Sequence, residues 1–194
     1  MKFKSLFLAL ASAATLAFIP SCANPITRAN AANASASQIS RESQKALVSL
    51  YAKKPKAKEL SGKAKSVLVF PSILKGGFLL GGGQGGNGAM IGNDGKISGY
   101  YQISGASYGM QAGVQTFSYA LFLMDEQAVR RFEKSGGWEI GSSPTVVVGN
   151  KGMASSLTTT TLGKGTAAFF FDQRGLMAGL GLQGSKITRI QPQL

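Results

Sequence analysis

The residues able to do chemistry in this chain are few, and most of them are lysine. Histidine is absent, which removes Ser/His and Cys/His nucleophile pairs and imidazole metal sites. The one cysteine, Cys22, forms neither an internal disulfide nor a thiolate cluster. Eight carboxylates stand against 21 Lys and Arg, leaving little for general acid–base work or hard-metal binding. Asp94, Asp125, Glu126, Glu133, Glu139 and Asp172 show no spacing that implies an acid–base pair. Asp94 and Asp172 lie in turn contexts, and Asp125 stands where a helix needs an N-cap. No catalytic residue, metal site or cofactor is expected.

The basic residues carry the strongest signal. The formal net charge is +13. Between Arg41 and Lys65 lie eight basic residues and two acids, +6 in 25 residues. Seven of the eight are lysine. Bidentate reading of bases or phosphates usually uses arginine. Diffuse attraction to an anionic surface needs only lysine, at about 1 kcal/mol per residue near a charged membrane. Lys53, Lys54, Lys56, Lys58, Lys63 and Lys65 are therefore the candidate lipid-binding residues. A solvated face with no ligand is the competing reading. No nucleic-acid partner is expected.

A second candidate fails on context. Gly83-Gln84-Gly85-Gly86-Asn87-Gly88 matches a dinucleotide-binding spacing. That motif needs a following helix and an acid about 20 residues on. Here a strand-like segment and a turn follow, and position 108 is tyrosine. The tract is expected to serve turns and bulges.

The N-terminus reads as an export segment. Lys2 and Lys4 precede an apolar run over 5–19, shorter than the roughly 20 residues of a bilayer span. Ile19-Pro20-Ser21-Cys22 resembles a bacterial lipobox, with Pro20 a departure from the usual pattern, so Cys22 is the expected lipidation site. Cleavage at Ala29-Asn30-Ala31 is the alternative. Removing residues 1–22 takes away only two lysines and leaves +11. Ala23 lacks the aspartate that retains lipoproteins at the inner membrane. An outer-membrane lipoprotein facing the periplasm is expected, otherwise a soluble periplasmic or secreted protein. Residues 23–38 read as a tether, and 39–194 as the folded domain.

The elements that must position the lysines follow from periodicity. Ala46, Leu47, Leu50 and Tyr51 give one apolar helical face over 40–52, ended by Pro55. A further turn of helix is expected over 56–60. All 26 glycines lie between Gly62 and Gly184, marking a different architecture. Alternation predicts short strands over 66–70, 78–80, 89–91, 97–104, 116–123, 145–148, 154–161, 166–171 and 176–183. Pro71 is expected to stop the first. Gly179 and Gly181 strip one face of the last, which suits a close neighbour. A helix over 125–135 is capped by Asp125. Trp138 and Phe169–Phe171 are expected core. The fold class is α+β: a glycine-rich curved antiparallel sheet or partial barrel, with a short basic N-terminal helix region and one mid-chain helix.

Three ordered blocks resemble the SYLF family, also described as a yeast-type actin-binding domain, over about 47–190. They are Ala64-Lys65-Ser66-Val67-Leu68-Val69-Phe70-Pro71 with the glycine tract, Gly105-Ala106-Ser107-Tyr108-Gly109-Met110-Gln111-Ala112-Gly113, and Gly175-Leu176-Met177-Ala178-Gly179-Leu180-Gly181-Leu182-Gln183-Gly184-Ser185. Gly181 and Gln183 stand where the family more often has Ser and Glu. The resemblance implies a non-enzymatic module that binds phosphoinositides or other anionic phospholipids, through a basic N-terminal segment for which Arg41–Lys65 is the counterpart. It also implies actin as a partner in eukaryotic members, which an exported chain would not meet. The expected partners are anionic membrane lipids and, through the anchor, a membrane surface. The alternative is a module docking on another envelope or cytoskeletal protein.

Overall fold

The computed structural model describes residues 34–134, 139–140 and 165–193, apart from the side chains of 139–140 and 178–183. Helix α1 spans Ala36–Lys53 and α2 spans Pro55–Ser61. Strand β1 (Ser66–Gly92) and strand β2 (Ile97–Leu123) form a hairpin, followed by α3 (Glu126–Lys134), the short β3 (Glu139–Ile140) and β4 (Thr166–Ile190). The sheet is antiparallel throughout, in the order β1-β2-β4-β3. The α+β class and the curved, unclosed sheet are as expected.

The helices follow their local signals. Ser35 caps α1, its hydroxyl accepting from the Gln38 amide at 3.2 Å. The helix opens at Ala36, inside the stretch read as tether. Pro55 ends it after Lys54 and takes the first position of α2, where its missing N–H costs nothing. Asp125 caps α3 by accepting from the Ala128 amide at 2.7 Å.

The strands differ from expectation in length. Three strands of 25–27 residues replace most of the predicted short ones. Pro71 does not stop the first. The ladder skips from Phe70 to Ile73, and the Pro71 carbonyl accepts from the Ser118 hydroxyl at 2.7 Å. The glycine tract is not turn geometry either. Gly81–Gly88 is paired strand, with one irregularity between Leu79 and Gly81. The strands read over 145–148 and 154–161, and Trp138, lie outside the described residues.

A straight 27-residue strand would reach roughly 90 Å. Instead β1 folds back on itself. The Asn93 amide donates to the Lys65 carbonyl at 3.2 Å. A Cβ on Gly88 would collide with the backbone of Val69 and lie 2.7 Å from the Phe70 ring. One on Gly86 would collide with the Ser72 carbonyl, and one on Gly82 would lie 2.7 Å from the Gly76 carbonyl. These contacts nest around Leu79, which marks the apex. β2 and β4 bend with β1 through their register. Two arms therefore face each other, open at the end where Lys65 meets the hairpin turn.

Between the arms lies the main core: Leu68, Phe70 and Ile73 from one side, Met90, Tyr101 and Ile103 from the other, closed by Ala128 and Phe132 of α3. Phe132 meets Tyr101 edge-on at 5.2 Å between ring centroids. The alternate residues Val67, Val69, Ala120 and Phe122 pack with Phe171 under α1 and α2. Phe171 is buried as expected, with Phe169 and Phe170 half-buried against the two cores.

Towards the apex the interior changes character. Lys75, Gln84, Gln111, Gln115 and Ser185 are all buried. The Gln84 amide donates to Ser185 at 2.7 Å, and Ser107 donates to Gln111 at 2.9 Å. Burial holds the Lys75 ammonium below the usual lysine range.

Two outcomes follow for stability. Gly88→Ala should cost about 1–3 kcal/mol by forcing apart backbone that cannot yield. Gly184→Ala meets no atom within 4 Å and should leave the urea midpoint unchanged. For Lys75, the folded pKa is the lower one, so the unfolded chain binds more protons. Wild-type stability should therefore rise relative to Lys75→Met as pH climbs towards the unfolded lysine value of 10.5. Parallel stability–pH curves would show that the group is not held in a desolvated place.

Candidate functional site

The lysine-rich segment is pinned by its small apolar residues and presents its charges outward. Ala57 and Ala64 are buried beneath it, and Leu60 packs beside them. Lys53, Lys54, Lys56, Lys58, Lys63 and Lys65 are all exposed. Lys53 pairs with Asp172, whose other oxygen accepts from the Ser49 hydroxyl at 3.1 Å. Lys56 and Lys63 share Glu59 at 2.9 and 3.5 Å, and Lys65 reaches Glu126 at 3.7 Å. The Lys56 hydrogen bond, with smaller help from Lys63, draws the Glu59 carboxyl below its ordinary range. Lys54 and Lys58 have no carboxylate partner among the described residues.

Exposed ion pairs of this kind are weak, being screened by water and salt, so they yield readily to a competing anion. Counting Asp172 and Glu126 against the +6 of Arg41–Lys65 leaves +4 on this flank. The geometry is a set of exposed ammonium groups over a buried alanine base. It suits a diffuse anionic surface, which needs only spread positive charge, better than the bidentate reading of one small anion, which usually uses arginine. Cys22 lies outside the described residues. Among the described residues no cluster of acids or cysteine suits a metal ion, and no helix is long and apolar enough to cross a membrane.

A second surface was not anticipated from the sequence. At the apex, Phe78, Leu79 and Leu80 on β1, Tyr108, Met110 and Val114 on β2 and Leu176 on β4 are 56–79% exposed. The register sets Val114 beside Leu176 and carries β1 past β2 from Gly77↔Gly113 to Gly81↔Tyr108, so the three strands bring these residues to one end of the molecule. A signal was present in β2. Even positions 106–114 read Ala, Tyr, Met, Ala, Val, while odd positions 105–115 read Gly, Ser, Gly, Gln, Gly, Gln. That alternation marks a strand with one apolar face. Only the fold shows that this face points outward. The faces of Gly179 and Gly181 belong to side chains outside the described set, although their backbones pair with Gln111 and Gly109.

Known proteins share this architecture's sequence. Residues 104–192 match the Ysc84 family model, described as "Las17-binding protein actin regulator". The SH3 domain-containing YSC84-like protein 1 of Xenopus laevis is 30% identical over 127 residues, 63% of this chain and 37% of its own length. Protein YSC84 of Saccharomyces cerevisiae is 30% identical over 131 residues, 64% of this chain and 28% of its own. LAS seventeen-binding protein 3 of the same yeast matches to the same extent. The chain thus spans about a third of the length of these relatives. The matched segment, residues 104–192, takes in most of β2 and all of β4, and it matches the Ysc84 (SYLF) domain family that the three sequence blocks resemble.

Proposed function

We propose that this protein is a non-enzymatic module that binds anionic phospholipid surfaces through the lysines of its 53–65 segment, and that it is exported and held at the outer membrane by acylation of Cys22. The observation that carries the lipid reading is the exposed lysine row on a buried alanine base. It supplies the spread positive charge that a diffuse anionic surface needs. The match to a binding family and the lack of an acid–base pair favour binding over catalysis. The family description favours a second reading, in which the module docks on a protein partner; the names of the relatives point to Las17 and actin regulation for those proteins.

Sedimentation with vesicles separates the two. Attraction of this kind acts within about 8 Å at physiological salt, so lysine-driven binding to anionic vesicles should weaken steeply as salt rises. Changing Lys54, Lys56, Lys58 and Lys63 to Gln, at about 1 kcal/mol each, should cost two to three decades of affinity. Neutralising Lys151, Lys164, Lys186 and Arg189 removes the same charge and should cost much less. Equal losses from both sets would reject a localised site, and no binding to any anionic vesicle would favour protein docking. For the anchor, Cys22→Ser should release the protein from the membrane fraction. A mature N-terminus after Ala31, read by mass spectrometry, would rule acylation out.

A further inference from the structure

The polarity of the bent sheet is inverted at its apex. On β2 the inward-facing residues are the odd ones along the whole strand. Tyr101 and Ile103 lie in the core of one arm, and Phe117, Tyr119, Leu121 and Leu123 in that of the other. Between them the same inward face carries Ser107, Gln111 and Gln115 among glycines. The outward face shows the opposite order. Gln102, Ser104 and Thr116 flank a central run of Ala106, Tyr108, Met110, Ala112 and Val114, and beyond Thr116 the same face is covered, with Ser118, Ala120 and Phe122 buried. The odd positions of β2 stay inward across this switch, although its register with β1 shifts between Leu79 and Gly81.

An apolar exterior over a polar interior is the reverse of a sheet that faces water, and it is the arrangement of sheets that face lipid. Three further features fit hydrocarbon. β2 pairs with β4 throughout the apex and with β1 on either side of Gly109 and Met110, so most of its N–H and C=O groups stay satisfied away from water. There is no carboxylate over 76–93, 95–124 or 173–194. Arg174 lies exposed just behind Leu176, where an interfacial cation belongs. Leu79 adds a fourth. It holds φ 55 at the tightest point of the reversal, a conformation glycine adopts freely and leucine only at a cost. Its side chain is then left 65% exposed, so folding gains nothing from it.

We propose that this apolar apex inserts into the hydrocarbon edge of a lipid bilayer. The side chains of Phe78, Leu79, Leu80 and Met110 reach into the upper acyl region, while the open edge of β1 and Tyr108 stay at the interface. The inference goes beyond the lysine reading and does not rest on it. The lysine segment leads to the open end of the fold, away from the apex, and insertion needs no headgroup charge.

The test uses the full chain with Cys22→Ser, in which Met110→Cys becomes the sole cysteine for an environment-sensitive fluorophore. On neutral phosphatidylcholine vesicles in high salt, the label at 110 should shift to the blue and be quenched by lipids spin-labelled along the acyl chain. A label at Lys134→Cys should do neither. Leu79→Gly, which relieves the backbone strain, should keep the thermal midpoint within a few degrees while weakening binding about tenfold; Phe78→Ser with Leu80→Ser should weaken it about 100-fold. No shift at 110, or an equal shift at 134, would overturn the proposal. So would a shift without lipid that grows with protein concentration, which would assign the apex to a second copy of the chain. Because the vesicles are neutral, none of these results bears on the lysine site, whose failure would appear only on anionic vesicles.

Discussion

The backbone-to-backbone contact within β1 is the constraint on which the rest of the molecule depends. Sheets usually pack about 10 Å apart, with side chains filling the gap. Here Gly86 and Gly88 press on Ser72 and Val69 with no side chain between them. That approach holds the arms together beside the core. The same Val69 carbonyl accepts a hydrogen bond from the buried Ser43 hydroxyl at 3.2 Å, so α1 is fastened at the point where the arms touch. The contact thus ties the helices, the basic segment that follows them and the bend of the sheet into one geometry.

Folding one long sheet over itself divides the interior into two regimes. Far from the apex there is room for Phe70, Met90, Tyr101 and Phe132, and the interior is apolar. Near the apex the arms converge. The space between Gly76 and Gly82 admits only amides, hydroxyls and one lysine. Two amide atoms there, Gln84 Oε1 and Gln111 Nε2, are buried without a hydrogen-bond partner among the described residues. Each unsatisfied group costs about 1–3 kcal/mol. The apex is therefore held against an unfavourable interior and a strained Leu79 by the well-packed arms behind it. A structure maintained at such cost in water is consistent with one that recovers free energy when its exposed apolar face is covered.

The legibility of this protein divides along the same line. The helices could be read because each signal is local: Pro55, the Asp125 cap and the spacing of Ala46, Leu47 and Leu50 act within one or two turns. The half-strands of the arms were legible because their alternation ends in a known environment. What the sequence hides is the joining of those half-strands. Pro71 and the glycines look like terminators because they weaken a ladder locally. Here the Pro71 bulge and the close approach at Gly86 and Gly88 outweigh that weakness through contacts 14 and 19 residues apart in sequence. Sequence periodicity has no access to such contacts. The lysines were identifiable as a charged segment, but their pairing with Asp172 and Glu126 depends on tertiary neighbours from β4 and α3.

The two candidate surfaces differ in what fixes them. The lysine row is an electrostatic feature carried by helices that pack on the sheet's outside. Its charges are replaceable and its strength falls with salt. The apex is built from the bend itself. Its outward residues cannot be turned inward without reversing the parity of β2, which would expose Tyr101, Phe117, Tyr119 and Leu121 in the arms. Polarity at the apex and packing in the arms are thus two consequences of one register. A substitution that makes the outer apex polar is free of that coupling, since it leaves the inner face untouched. The inner glutamines are not free of it, because replacing them alters how closely the arms converge. The fold therefore tolerates loss of the exposed apolar residues, and their presence in water is a demand placed on the sequence by something other than folding.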